Sequence, residues 1–433
     1  MTSRSKVASV TSVMPSTIPA DLAPGGTNMQ AGLFEATSVP EMVAPSRHDE
    51  PSHHQEPSHH DEPSHHDEPS HHDEPSQHEG PGQHEGHAKP PLDERRVSDW
   101  LAANLPAATP PFRFTLVAGG HSNLTYRVDD ANGRSFALRR PPRGSLLPTA
   151  HDMAREHRVV SALWPTAVPV PQVFALCEDT EVSGASFYVM DFVDGLVVRD
   201  EETCRSGLSE AARRQASWSI ADTLAAIHAL DVDEVGLGDL ARRDGYIERQ
   251  LRRWMDQFTH SRVAGDEGSG TTALVEAVHA KLAARVPPQA GLALVHGDYR
   301  LDNTVLGEDG SVLAVLDWEI CTLGDPLADL GLLMVYWAEA GEEASLLGVS
   351  PTALPGFATR AELCARYEAS TKRDLSLLGF YVAFGYWKLA CILQGVYARY
   401  AAGAQAGDPS GVEGFARQVA RLAEMAMTAL DEL

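Results

Sequence analysis

The stretch Val295-His296-Gly297-Asp298-Tyr299-Arg300-Leu301-Asp302-Asn303, followed by Leu316-Asp317-Trp318-Glu319, limits the possible folds of this chain more than any other segment. Two apolar runs, Leu292 to Val295 and Val312 to Leu316, read as short buried strands, and each delivers a carboxylate at its end. Between them lie Asn303, five residues after Asp298, and the turn signal Gly307-Glu308-Asp309-Gly310. The runs are expected to form a hairpin that gathers Asp298, Asn303 and Asp317 at one end. One acid to meet a hydroxyl, with an Asn and a second acid to hold Mg²⁺, requires this order. Reading His296 and Asp298 as ligands of a transition metal is disfavoured, because no third His or Cys lies near in sequence.

Charge narrows the partners. Of the formal net charge of -25, residues 1–91 carry -10 and the remainder -15. A globular part this acidic argues against nucleic acid and against an anionic membrane surface. Cys177, Cys204, Cys321, Cys364 and Cys391 are far apart and odd in number, which suits buried free thiols in a reducing cytoplasm better than a disulfide framework. No secretory signal is legible at the N-terminus, and Lys388 and Arg399 interrupt the most apolar late stretch, Leu375 to Ala401, which reads as a buried helix.

Residues 49–84 form a hexapeptide repeat that begins Asp49-Glu50-Pro51-Ser52-His53-His54, and 12 of the 19 histidines lie between His48 and His87. Proline every six residues and almost nothing apolar to bury predict a disordered tail over residues 1–91. Its paired imidazoles are suited to weak Zn²⁺ or Ni²⁺ binding, but no catalysis is placed there.

Order is expected from residue 92. Asp93 to Leu105 reads as a helix and Phe112 to Val117 as a strand. A Gly-rich turn follows, Gly119-Gly120-His121-Ser122-Asn123, whose backbone N–H groups suit phosphate oxygens, although a plain hairpin turn is the simpler reading. Asn132-Gly133 marks a further hairpin into the strand Ser135 to Arg139. A helix is expected over His151 to Leu163, and strands over Val173 to Leu176 and from Ser186 towards Gly195. Later helices are expected over Ser209 to Leu230, Tyr246 to Phe258, Arg360 to Thr371, Leu375 to Ala401 and Gly411 to Leu433. His228 reads as a structural histidine. Arg242, Arg243, Arg249, Arg252 and Arg253 read as a solvated charged face, or as a site for an anionic substrate group. Tyr386-Trp387-Lys388 reads as helix packing, with lining of an acceptor pocket as the alternative.

The Asp-x4-Asn spacing and the following Asp match the protein-kinase catalytic loop, with Gly297 where that loop has Arg. With Gly324-Asp325-Pro326-Leu327-Ala328-Asp329-Leu330, the pattern resembles the aminoglycoside phosphotransferase and choline kinase family over roughly residues 95–430. Leu138-Arg139-Arg140-Pro141-Pro142, Tyr246 to Trp254 and Gln394 to Tyr400 look most like the kinase domains associated with acyl-CoA dehydrogenases. The resemblance implies an α+β, protein-kinase-like two-lobed fold. Residues 92–194 would form a nucleotide-binding lobe with an antiparallel sheet and one helix, and residues 195–433 a mostly helical lobe.

The resemblance also implies an ATP-dependent (or GTP-dependent) transfer of phosphate to a small-molecule hydroxyl, such as that of a hydroxyacyl-CoA or an aminoglycoside-like alcohol. Asp298 would accept the hydroxyl proton, and Asn303 and Asp317 would hold Mg²⁺, with Glu319 a looser candidate for its outer shell. Gly119, Gly120, Ser122 and Asn123 would cover the phosphates, and Met190 and Phe192 would flank a hinge for the base. Arg139, or Arg140 in a register slipped by one, would replace the usual Lys and pair with Glu156; an Arg is longer and planar. His296 is expected to be a brace, Asp325 to cap a helix whose first residue is Pro326, and Asp325 and Asp329 to support the loop from below. The departure at Arg139 leaves a nucleotide-binding pseudokinase as the alternative. A protein kinase fits less well, because no Ala-Pro-Glu segment follows Asp317.

Overall fold

Alternation along two strands fixes which side chains face the cleft. The computed structural model describes residues 92–119, 123–141, 152–263, 270–342, 350–401 and 410–433. The repeat tail, and Gly120 to Ser122 of the Gly-rich turn, lie outside the described residues.

The first lobe is a five-stranded antiparallel sheet in the order β1-β2-β3-β5-β4, built from β1 (Arg113–Gly119), β2 (Leu124–Asp129), β3 (Ser135–Arg140), β4 (Val173–Cys177) and β5 (Phe187–Asp191). Phe136 and Leu138 of β3, with Phe187 and Val189 of β5, pack with Val97 and Leu101 of helix α1 (Glu94–Asn104). The intervening Ala137, Tyr188 and Met190 pack with Met153 at the start of α2 (Met153–Leu163). Successive strand residues point to opposite faces, so Arg139 shares the α2 face and Arg140 the α1 face. This resolves the register question: Arg140 is buried and donates to the Pro141 and Ser183 carbonyls at 3.0 and 2.7 Å.

Helix α2 joins the lobes. Asp152 caps it by accepting from Arg155 N at 2.8 Å, while Val159, Val160 and Leu163 enter the large core of the helical lobe. A short helix α3 (Thr180–Ser183) lies in the β4–β5 connection on the sheet side, and the helical lobe contains α4 (Glu201–Gly207), α5 (Glu210–His228), α6 (Tyr246–His260), α7 (Gly270–Ala283), α8 (Leu327–Tyr336), α9 (Arg360–Thr371), α10 (Leu378–Ala401) and α11 (Ser410–Asp431). Sequence reading anticipated most of these helices and missed α3, α4 and α7. At Gly331 of α8 a Cβ would lie 2.6 Å from the Tyr381 backbone, so only glycine lets α8 and α10 approach this closely. Trp254, Trp337 and Trp387 are fully buried in this core, each contributing about 1.5–3 kcal/mol or more of burial. Among the described residues, no helix is long and apolar enough to cross a membrane, and all five cysteines are buried free thiols.

The expected hairpin needs correction. The two predicted strands exist as β6 (Ala293–Val295) and β8 (Val312–Val315), but they do not pair with each other. β8 pairs with β7 (Thr304–Leu306), and β6 pairs with β9 (Thr322–Gly324). The turn at Gly307 to Gly310, closed by Gly310 N donating to the Gly307 carbonyl at 2.9 Å, joins the adjacent run 304–306 to β8. The shortest loop closure takes precedence, and β6 is left to find its partner beyond Asp317.

Candidate active site

His296 to Asn303 leaves β6 as an irregular loop ending in a single 3₁₀ turn, and its backbone is held from beneath. Asp329, in the first turn of α8, accepts from His296 N at 2.6 Å and Gly297 N at 2.8 Å, and its Oδ2 lies 3.3 Å from His228 Nε2. Burial pushes the Asp329 carboxyl up, but the His228 contact prevails and holds it below the usual range. His228 Nδ1 meets the Tyr367 hydroxyl at 2.7 Å, so this histidine is structural. Asp325 accepts from Leu327 N (3.0 Å), Ala290 N (2.8 Å) and the Tyr381 hydroxyl (2.7 Å). Its carboxylate thus serves the start of α8, although Pro326 occupies the cap position itself. His296 Nε2 donates to the Leu316 carbonyl at 3.0 Å and Nδ1 accepts from Asp298 N at 3.3 Å, which suits a brace.

Gly297 has φ +88°, and a Cβ there would meet the Ile320 side chain at 3.1 Å and its carbonyl oxygen at 3.2 Å. Glycine therefore stands where protein kinases have arginine for two local reasons, conformation and space. Asp298 is 3% exposed. Its Oδ2 accepts from Asn303 Nδ2 at 2.9 Å and faces Arg300 Nε at 3.1 Å, while its Oδ1 accepts from the Tyr336 hydroxyl at 3.3 Å. Asn303 Nδ2 also donates to the Asp298 backbone carbonyl at 2.9 Å. The Asn303 side chain is therefore fixed through its nitrogen.

The opposite wall is built on one guanidinium. Arg139 Nε donates to Glu156 Oε2 at 3.0 Å, and Arg139 Nη2 donates to Asp317 Oδ1 at 2.6 Å and lies 3.9 Å from Glu319 Oε2. Glu156 is 1% exposed and also accepts from Trp318 N at 3.3 Å. Burial works against the charged guanidinium, yet Glu156 and Asp317 hold it well above the usual arginine range. Burial raises the Glu156 carboxyl, against the pull of Arg139. Burial, with Asp317 next, pushes the Glu319 carboxyl well up. Asp317 has φ +66°, one of two non-glycine residues in the left-handed region among the described residues. Such outliers concentrate where function fixes a side chain.

Asn123 connects this wall to the turn after β1. Its Nδ2 donates to Glu319 Oε2 at 2.8 Å, while Asn123 Oδ1 and Glu319 Oε1 are buried without a hydrogen-bond partner. Gly119 pairs with Leu124 at the end of β1. Gly120 and Ser122 lie outside the described residues. Met190 is buried opposite Ala137, and Phe192 lies just beyond β5 with the Arg127 guanidinium 4.7 Å above its ring.

Arg300 and Arg155 escaped the sequence reading, and Lys388 entered it only as a packing or pocket-lining position. Arg300 spans Asp298 and Asp302, each at 3.1 Å. Arg155 donates to the Glu319 and Cys321 carbonyls at 3.3 and 2.5 Å, tying α2 to the segment after Asp317. Lys388 is buried and donates to the Gly297 carbonyl at 2.7 Å, with its Nζ 5.4 Å from the Trp254 ring. Burial pulls its pKa down to about 8, against the attraction of Asp298 and Asp329 and with help from Arg253. Its signal was available: Lys388 is the only charged residue between Leu378 and Val396. The arginine cluster divides. Arg243 pairs with Asp233, and Arg249 donates to the Asp244 and Arg242 carbonyls, so both secure the loop entering α6.

A carboxylate and an asparagine joined at the end of one strand, facing a second carboxylate tied to a Glu–Arg pair, is a kinase-like constellation. The sequence model of the phosphotransferase enzyme family matches residues 113–363. The chain belongs to that family. It is 35% identical over 296 residues to mouse (Mus musculus) acyl-CoA dehydrogenase family member 10, covering 67% of this chain and 27% of that protein. It is 35% identical over 316 residues to family member 11 of Gallus gallus, covering 71% and 39%. The chain spans 27% to 41% of the length of such curated relatives. Among solved structures, a candidate aminoglycoside phosphotransferase of Ralstonia eutropha JMP134 aligns with TM-score 0.66 and 30% identity, covering 79% of this chain and 99% of that one. A thermostable mutant of aminoglycoside phosphotransferase APH(4)-Ia, in ternary complex with ADP and hygromycin B, aligns at TM-score 0.53 and 15% identity, covering 77% and 98%, a likeness of fold alone. The protein has the α+β, protein-kinase-like two-lobed fold of phosphotransferases.

Proposed function

We propose that the protein transfers the γ-phosphoryl group of ATP to a hydroxyl of a small molecule. The observation that carries this reading is the Asp298–Asn303 hydrogen bond, joined to the Asp317 segment by Leu316 N donating to the Asn303 carbonyl at 2.8 Å, with Arg139 bonded to both Glu156 and Asp317. Asp298 accepts the acceptor's proton as its oxygen bonds to the γ-phosphorus, and the bond to the β-phosphate oxygen breaks with its electron pair leaving on ADP. Arg300 and Asn303 keep Asp298 Oδ2 occupied, which leaves Oδ1 for the acceptor. Arg139 steadies the α- and β-phosphates, Gly119 to Asn123 cover them, and the end of β5 at Met190 and Phe192 receives the base. The division of the chain near residue 194 into a nucleotide lobe and a catalytic lobe belongs to this reading.

The residues fit Mg²⁺. Asn303 and Asp317 offer hard oxygen donors, three carboxylates surround a single guanidinium, and Glu319 Oε1 is a buried oxygen without a partner. Among the described residues no three His, Cys, Asp or Glu side chains form a ready-made metal cage. Mg²⁺ ordinarily relies on one or two protein carboxylates and on substrate phosphates. When bound, the ion neutralises charge on the phosphates.

As acceptor, a hydroxyacyl-CoA or similar metabolite is favoured over an aminoglycoside-like alcohol, a choice supported by the likeness to acyl-CoA dehydrogenase family members 10 and 11. A cytoplasmic location suits the five buried thiols. A second reading, a nucleotide-binding module without transfer, draws on the replacement of the usual lysine by Arg139. Coupled ADP release across hydroxyacyl-CoAs, aminoglycosides and amino alcohols, with ATP and with GTP, tests both. Acceptor-dependent ADP release supports transfer, and nucleotide binding without release on any acceptor supports the module.

A further inference from the structure

The two oxygens of Asp298 are held unequally. Oδ2 has a 2.9 Å bond from Asn303 and Arg300 at 3.1 Å, whereas Oδ1 has the Tyr336 hydroxyl at 3.3 Å. Hydroxyl–carboxylate bonds ordinarily measure about 2.5–3.0 Å, so the Tyr336 contact is long and easily displaced. It is also built in. Tyr336 is the last residue of α8, seven residues after Asp329, so the two lie on one face about two turns apart. The same helix therefore holds the loop backbone at its first turn and the loop carboxylate at its last. The Arg300 guanidinium lies 5.0 Å over the Tyr336 ring and fixes its position. Tyr336 is half-buried and Asp298 buried. Burial, with Asp298 next, keeps the phenol protonated and hence a donor.

We propose that Tyr336 occupies the acceptor hydroxyl's place on Asp298 Oδ1 and so denies that oxygen to water, making it a positioning residue that favours transfer over ATP hydrolysis. A substrate hydroxyl displaces the long phenol contact because the rest of the substrate is bound elsewhere in the site. A water molecule has no such anchoring and competes poorly. The inference rests on the reading of Asp298 as the proton acceptor.

The experiment is ADP release by the full chain with Mg·ATP and no acceptor, for wild type, Tyr336→Phe, Asp298→Asn and the double variant. Tyr336→Phe keeps the ring and removes the donor, and it is expected to raise acceptor-independent ADP release by about 5–10-fold, the scale of one ordinary hydrogen bond. The rise is expected to vanish in the double variant. An unchanged or lower rate in Tyr336→Phe, including none detectable in either protein, overturns the proposal. If Tyr336→Phe fails to fold, Tyr336→Gln and Tyr336→Leu replace it, being similar in size with and without a donor. Faster hydrolysis by the Leu variant supports the proposal, and equal rates overturn it. Asp298→Asn separates the two levels. If it leaves acceptor-dependent ADP release at the wild-type level, the reading of Asp298 fails. If it abolishes acceptor-dependent release while Tyr336→Phe leaves acceptor-free release unchanged, only the inference about Tyr336 fails.

Discussion

Arg139 Nη2 lies 2.6 Å from Asp317 Oδ1 while its Nε lies 3.0 Å from Glu156 Oε2, so one planar guanidinium joins β3, α2 and the residue after β8–Leu316. A lysine ammonium is a point charge and cannot present two donors on separate edges. Arg139→Lys is expected to stay folded and to lose about tenfold in kcat/KM for ATP, roughly one charge-assisted hydrogen bond. Arg139→Met leaves Glu156 buried without its partner and is expected to cost about 3–5 kcal/mol of stability, read from urea unfolding. Equal stability of Arg139→Met and wild type would contradict the wall described above.

Lys388 yields a prediction about pH. Its partners are the Gly297 carbonyl and the Trp254 ring, with Asp298 and Asp329 attracting its charge and Arg253 repelling it. Folded, it is protonated below about pH 8 and neutral above. Unfolded, it keeps its proton to about pH 10.4. Between those values the unfolded chain binds more protons, so this residue favours folding increasingly as pH rises. The stability difference between wild type and Lys388→Met should move in favour of wild type from pH 8 to 10. Transfer should fall as the charged bond to the Gly297 carbonyl weakens, and Lys388→Met should lack that alkaline limb near pH 8. A limb of unchanged midpoint in Lys388→Met would assign it to another group.

Gly297 tests the geometry of the catalytic turn. Gly297→Ala places a Cβ against Ile320 at a φ of +88°, where L side chains are strained. The expected loss is about 1–3 kcal/mol of stability, together with a fall in kcat that exceeds any change in the affinity for ADP. Urea unfolding and calorimetric ADP binding measure the two effects.

Much of this site was legible in the sequence because its chemistry resides in short, closely spaced motifs. The Asp298–Asn303 spacing, the Asp317 carboxylate after an apolar run and the Arg139–Glu156 pair each depend on one or two local elements. The choice of Arg139 over Arg140 required strand alternation, which only the pairing of β3 with β5 fixed. The strand partners of β6 and β8 could not be read, since three- and four-residue strands carry too little periodicity to declare a neighbour. Tyr336 and Lys388 reach the loop from helices 38 and 90 residues from Asp298 in sequence, and Arg155 reaches the segment after Asp317 from 164 residues before Glu319. No local pattern announces such contacts, although a lone lysine inside an apolar helix is a hint.

The central claim is that Asp298 accepts the acceptor's proton, and Asp298→Asn tests it most directly. The variant keeps the side chain's shape and its place beside Asn303. Coupled ADP release with the best acceptor found for wild type should fall by about 10²–10⁴-fold, the usual share of a general base. Circular dichroism and the unfolding midpoint should stay near wild type. Wild-type-like turnover by a folded Asp298→Asn protein would contradict the account.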